Sequence, residues 1–179
     1  FRADGSSKFL GDNQWGYFPS AAFAWVASDE AFLRDANWLS HLKLRLSFGL
    51  AGNNSIPSGQ TQPLYESNTT SLLPFGSPTS YWSMGSTMPN PDLTWETTTS
   101  RNIGIDFSLF DERLSGTVDL YKNTTDDLLI LFPILGVGYT NQYRNMGKTE
   151  NKGIEFAING VILRKKNFDL GASFNIAFN

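Results

Sequence analysis

The chain has 179 residues, a formal net charge of -3 and no cysteine, which excludes a disulfide framework and a thiolate metal site and leaves no broad basic surface of the kind nucleic acid requires. No run approaches the roughly 18 consecutive apolar residues of a membrane-spanning helix. An aromatic content of 14 % with 16 glycines and scattered Ser and Thr leans towards β structure.

In chain order, a first strand is expected over residues 17–26, with Tyr17, Ala21, Phe23 and Trp25 on one face and Pro19 near its end, because proline offers no donor to a ladder. Residues 29–34 carry the one helix candidate, which Ser28 or Asp29 would cap. The second strand, 42–50, places Leu42, Leu44, Leu46, Phe48 and Leu50 opposite Lys43, Arg45, Ser47 and Gly49. Such alternation gives a strand one dry side and one wet side. A third strand over 93–109 sets Ile103, Ile105, Phe107 and Leu109 against Asn102, Gly104, Asp106 and Ser108. A tight connection at 111–113 leads into the fourth, where Leu114, Gly116, Val118 and Leu120 oppose Ser115, Thr117, Asp119 and Tyr121, so the two strands read as a hairpin. The fifth, 145–159, sets Ile154, Phe156 and Ile158 against Gly153, Glu155, Ala157 and Asn159. The sixth, 168–178, carries Phe168, Leu170, Ala172, Phe174, Ile176 and Phe178 on one side and Asp169, Gly171, Ser173, Asn175 and Ala177 on the other. A slip of one residue would exchange those faces completely.

The connections alternate in length. Residues 51–92 and the shorter segment around 132–144 form long links, whereas 27–41, 111–113 and 160–167 are shorter. In an up-and-down meander, long and short links then lie at opposite ends, as in outer-membrane barrels with brief periplasmic turns and long extracellular loops. Two architectures remain open on periodicity. In a membrane barrel the apolar stripe faces lipid, and Lys43, Arg45, Asp106, Asp119, Glu155 and Asp169 line a watery lumen. In a soluble or secreted β-sandwich the same stripe packs on a second sheet, and the loop 51–92 would bind carbohydrate. The barrel is favoured by the size of the apolar faces, and by Trp15, Tyr17, Trp25, Trp38 and Trp95 near strand ends, where an interfacial aromatic girdle belongs.

Several strings also resemble a known family. Arg2-Ala3-Asp4-Gly5-Ser6-Ser7-Lys8-Phe9, Trp15-Gly16-Tyr17-Phe18-Pro19-Ser20, Trp38-Leu39-Ser40-His41-Leu42-Lys43-Leu44-Arg45 with Gly52-Asn53, Asn90-Pro91-Asp92-Leu93-Thr94-Trp95-Glu96-Thr97, Asn102-Ile103-Gly104-Ile105-Asp106-Phe107 and Asn151-Lys152-Gly153-Ile154-Glu155-Phe156 occur in the order of consecutive barrel segments. They look like the SusC/RagA-type TonB-dependent outer-membrane transporters. The resemblance implies an all-β antiparallel meander of about six to seven strands, within a barrel of roughly 22. It implies a piece from the later part of a longer polypeptide, whose plug domain lies outside residues 1–179, with 51–92 and 132–144 as extracellular loops. Expected partners are the rest of the barrel and plug, a SusD-like surface lipoprotein, TonB acting through the plug, outer-membrane lipid, and an oligosaccharide or peptide substrate. The expected location is the outer membrane of a Gram-negative bacterium, and no cofactor is implied.

Candidate chemistry is sparse. His41 is the one histidine, so histidine triads and multi-histidine metal sites have nothing to build on, and no enzyme activity is expected. Asp111-Glu112 and Asp126-Asp127 read as solvated loop charge, and Gly136-Val137-Gly138 as a loop tip. Tyr65, Phe75, Tyr81 and Trp82 fall in the long link, where rings stack on the apolar faces of sugars or pack the loop. Tyr65, Tyr81 and Trp82, with Arg45 and Asp106 in the lumen, are therefore the candidate substrate contacts. The alternative for Arg45, Asp106, Asp119 and Glu155 is pairing across strands, at about 0.2–1 kcal/mol a pair. Leu42, Leu44, Leu46, Phe48, Ile103, Ile105, Phe107, Val118, Leu120, Ile154, Phe156, Phe174 and Ile176 are the expected lipid-facing positions.

Overall fold

A computed structural model describes residues 1–34, 36–70, 79–135 and 138–179. In chain order the strands are β1 (Arg2–Gly5), β2 (Trp15–Phe18), β3 (Ser20–Val26), β4 (Leu39–Asn53), β5 (Tyr65–Thr70), β6 (Thr79–Met84), β7 (Thr87–Met88), β8 (Glu96–Leu109), β9 (Leu114–Asp126), β10 (Leu129–Pro133), β11 (Asn141–Asn145), β12 (Lys148–Lys165) and β13 (Phe168–Phe178). They fall into two units. The first comprises Phe1–Phe18, Gly52–Thr97 and Thr125–Lys148, and the second Pro19–Ala51, Thr98–Thr124 and Thr149–Asn179.

The second unit is a wall. Its six strands are ordered β13-β12-β9-β8-β4-β3, so neighbours in space are the wall strands next to each other in sequence. That is the meander expected from the alternating stripes. Cross-strand pairs keep like with like: Phe23 faces Leu46, Trp25 faces Leu44, Phe156 faces Ile176 and Ile158 faces Phe174, while Ala24 faces Arg45 and Ala157 faces Asn175. The hairpin between β8 and β9 closes through Phe110, Asp111 and Glu112, all with positive φ. A local left-handed conformation lets the two strands turn back with few connecting residues.

The first unit holds the buried core. Phe9, Phe18, Ile56, Leu93 and Trp95 are buried together with polar Ser6, Gln60 and Thr61. Trp95 stands 5.5 Å from both the Phe9 and Phe18 rings, and its Nε1 donates to the Gln14 carbonyl at 3.3 Å. Phe18 lies where a Cβ on Gly16 or Gly52 would be, so both positions are glycine for want of space. Asn145 acts as a stretch of strand: its Nδ2 donates to the Thr94 carbonyl and its Oδ1 accepts from Thr94 N, both at 2.9 Å.

Four expectations change. The strand over 17–26 is broken at Pro19: β2 pairs with β1, and β3 with β4 in a different sheet. A residue with fixed φ and no N–H ends one ladder and begins the next. The segment 29–34 is no α-helix; a 3₁₀ turn at Ala27–Asp29 is followed by a turn in which Leu33 N and Arg34 N both donate to the Glu30 carbonyl. Six residues without a packed face do not repay helix nucleation. The fifth strand runs on to Lys165, because a bulge between Val161 and Leu163 absorbs one residue and sets Leu163 opposite Leu170. Trp95 is 8 % exposed inside the first unit and belongs to its core, not to an interfacial girdle.

The described parts of the long links carry strands as well. Segment 51–92 contains the antiparallel β5–β6 hairpin and β7, and 132–144 leads from β10 into β11, which pairs antiparallel with β10 and parallel with β7.

Candidate functional site

The wall has two unlike faces. On the polar one, alternation aims Arg45 of β4, Asp106 of β8 and Asp119 of β9 to the same side. Arg45 Nε donates to Asp106 Oδ2 at 2.9 Å and Nη2 to Asp106 Oδ1 at 2.8 Å, a two-pronged match of guanidinium and carboxylate. Nη2 also donates to Asp119 Oδ2 at 3.0 Å. One arginine thus ties three neighbouring strands. Room for it comes from Gly104, where a Cβ would meet Arg45 Cζ and Asp119 Oδ1 at 2.6 Å. Beyond Asp119 the same face continues as a cleft of about 360 Å³, lined by Thr117, Glu155, Ala157 and Asn175. Its hydroxyl, amide and carboxylate groups suit a hydrated solute or another polar protein surface.

The opposite face is aliphatic and aromatic, and among the described residues no second layer covers it. None of the positions expected to meet lipid is buried; Leu42, Leu44, Phe107, Val118, Ile154 and Phe156 are half-buried by their neighbours, and Leu46, Phe48, Ile103, Ile105, Leu120, Phe174 and Ile176 are exposed. Phe174 is 62 % exposed. A soluble domain with so large an uncovered apolar face would aggregate, and a sandwich would have buried it.

The aromatic candidates belong to the first unit, separate from the unit that carries Arg45 and Asp106. In the β5–β6 hairpin Tyr65 pairs with Met84 and Ser67 with Trp82, which puts Tyr65, Trp82 and Met84 on one face. Tyr65 is 61 % and Trp82 72 % exposed. Tyr81, paired with Asn68, lies on the other face, where Asn68 Nδ2 donates to Ser83 Oγ at 2.6 Å. Tyr139 joins the first group, its hydroxyl 3.4 Å from Met84 Sδ. Neither Met84 nor Tyr139 stands out in the sequence, because polar residues within the long links give no hydrophobic period to read. Phe75, and residues 136–137 of the expected loop tip, lie outside the described residues. Among the described residues no group of three His, Cys, Asp or Glu side chains is placed to hold a metal ion.

An antiparallel meander with one face of charge and one of bare hydrocarbon defines the wall of a membrane β-barrel. The sequence signature of the TonB dependent receptor-like β-barrel matches residues 1–179. The TonB-dependent receptor SusC of Bacteroides thetaiotaomicron is 42 % identical over 183 residues, covering 99 % of this chain and 18 % of SusC. The TonB-dependent receptor P26 of Formosa agariphila is 37 % identical over 186 residues, 99 % of this chain and 18 % of its own length. Among solved structures, the RagAB peptide importer in its closed-closed state superposes with a TM-score of 0.85 at 32 % identity, over 98 % of this chain and 19 % of the importer chain. Its open-open state gives 0.80 at 33 %, over 96 % and 18 %. The chain belongs to the TonB-dependent receptor β-barrel family, and it spans less than a fifth of the length of these relatives.

Proposed function

We propose that these residues form wall strands of an outer-membrane active importer of a Gram-negative bacterium, which takes up oligosaccharides or peptides. The long links 51–92 and 132–144 lie on the extracellular side in this reading. A SusD-like lipoprotein covers the mouth, and TonB draws on a plug carried elsewhere in the complete polypeptide. The observation that carries the reading is the uncovered apolar face of the six-stranded sheet, backed by a charged face whose arginine is already satisfied. Likeness to SusC and to a structure described as a peptide importer supports the transport role.

Within the candidate contacts, Tyr65 and Trp82 are assigned to the solute, because their rings share one exposed face with Met84. Tyr81 supports the hairpin from behind. Arg45 and Asp106 hold the wall, since their strongest hydrogen bonds are spent on each other. The test is uptake of labelled oligosaccharide and peptide mixtures by cells that lack the complete protein, complemented with wild type or with Tyr65→Ala/Trp82→Ala. TonB-dependent uptake of one mixture by the wild type is expected, and the variant should need roughly tenfold more solute for half-maximal rate. Uptake of neither mixture removes the importer reading. Unchanged uptake by the variant removes the assigned contacts.

A further inference from the structure

On the apolar side of the wall, the aliphatic stripes of β8, β9 and β12 end in cations. After Phe107, Ile105 and Ile103 the next outward residue of β8 is Arg101; after Val118 and Leu120 on β9 comes Lys122; before Ile154 and Phe156 on β12 comes Lys152. All three lie at the end of the wall away from its short links. They are neighbours. Gly104 sits beside Asp119, so three residues further from the hairpin on each strand Arg101 comes beside Lys122. Lys122 Nζ and Lys152 Nζ share one carboxylate, at 2.8 Å from Glu150 Oε2 and 3.3 Å from Glu150 Oε1.

Two apolar grooves run from these cations down the same face. One, of about 370 Å³, is lined by Phe23, Leu46, Phe48 and Ile103 with Arg101 at its head. The other, of about 480 Å³, is lined by Leu120, Ile154 and Phe178 with Lys122 and Lys152 at its head. With the apolar face in lipid, as proposed above, the cations fall at the depth where a bilayer changes from tails to headgroups. On β12 the outward apolar stripe runs from Ile154 to Leu163 between Lys152 and Lys165, one residue being absorbed by the bulge, about 26 Å along the strand and on the scale of the apolar band of a barrel. Lys152 follows Ile154, which pairs with Phe178, by a single outward step.

We propose that Arg101, Lys122 and Lys152 form a docking site for a phosphorylated glycolipid of the outer leaflet, its phosphates on the three cations and its acyl chains in the two grooves. Three cations against one carboxylate leave a surplus of two positive charges, complementary to a headgroup with two phosphates. The inference rests on the apolar face meeting lipid, as proposed above.

The test uses the complete barrel protein purified in non-ionic detergent, with retention of added lipid A read by native mass spectrometry. Dephosphorylated lipid A and phosphatidylglycerol are the comparison ligands. Wild type should retain lipid A, and the triple variant R101Q/K122Q/K152Q should retain it on the order of a hundredfold less well, at about fivefold per cation. Glu150→Gln should strengthen retention, because it frees both lysines, whereas a site in which Glu150 and the lysines only brace the strands would give no gain. Equal retention by wild type and triple variant overturns the proposal, as does equal retention of dephosphorylated lipid A or of phosphatidylglycerol. Loss of the lipid-facing reading shows separately: the wild-type protein would then fail to insert into bilayers at all.

Discussion

At the scale of single residues, the informative geometry is that of Arg45. Its fork is filled by Asp106, and its third bond, to Asp119, needs the space that Gly104 leaves. A charged side chain bound twice by one partner and once by another loses more when the first is neutralised. Asp106→Asn is therefore expected to destabilise the complete barrel by about 1–3 kcal/mol and Asp119→Asn by roughly half as much. Gly104→Val should cost about as much as Asp106→Asn, because the added methyls displace the guanidinium from both partners. Urea-unfolding midpoints in micelles check all three, and equal midpoints for the two Asp variants would contradict the geometry. The alternating pattern placed Arg45, Asp106 and Asp119 on one face and made cross-strand pairing one of two readings. It did not single out Gly104, because a glycine in a strand looks like a gap until its neighbours are known.

At the scale of elements, period two carries its own test. Phe174 and Asn175 are adjacent in β13, yet they face opposite ways, one among aliphatic neighbours and the other in the polar cleft. In bilayers, Phe174→Arg should cost about 2–4 kcal/mol, whereas Asn175→Arg should change folding free energy by less than about 1 kcal/mol. Reversible urea titration of the barrel in lipid vesicles measures both; a similar cost for the two would show that the faces are misassigned. The limits of period two appear at β12. Val161-Ile162-Leu163 interrupts the alternation and the sequence pattern ends the strand at 159, but the bulge removes one residue from the count and the ladder continues to Lys165. Removing Ile162 should accordingly leave Leu163 opposite Leu170 and be tolerated. Residues 17–26 show the converse: unbroken alternation hid a change of sheet at Pro19.

At the scale of the whole molecule, two ways of being stable sit in one chain. The first unit buries Phe9, Phe18, Leu93 and Trp95 as a soluble protein does; the wall buries almost nothing and relies on the solvent outside its apolar face. The expected consequence is that this 179-residue chain stays dispersed only with detergent or lipid. Sedimentation in plain buffer should show large assemblies, and a monodisperse monomer there would contradict an uncovered apolar face. The meander, its strand order and the identity of its two faces were legible in the sequence because a strand's side chains alternate whatever surrounds them, so the pattern survives without knowledge of neighbours. Tertiary structure alone decided that no described residue forms a second layer on the apolar face, that Trp95 is core, that Tyr65 and Trp82 part company with Tyr81, and that cations share in lining the apolar grooves. Each of these depends on residues distant in sequence meeting or failing to meet in space, and no local period records that.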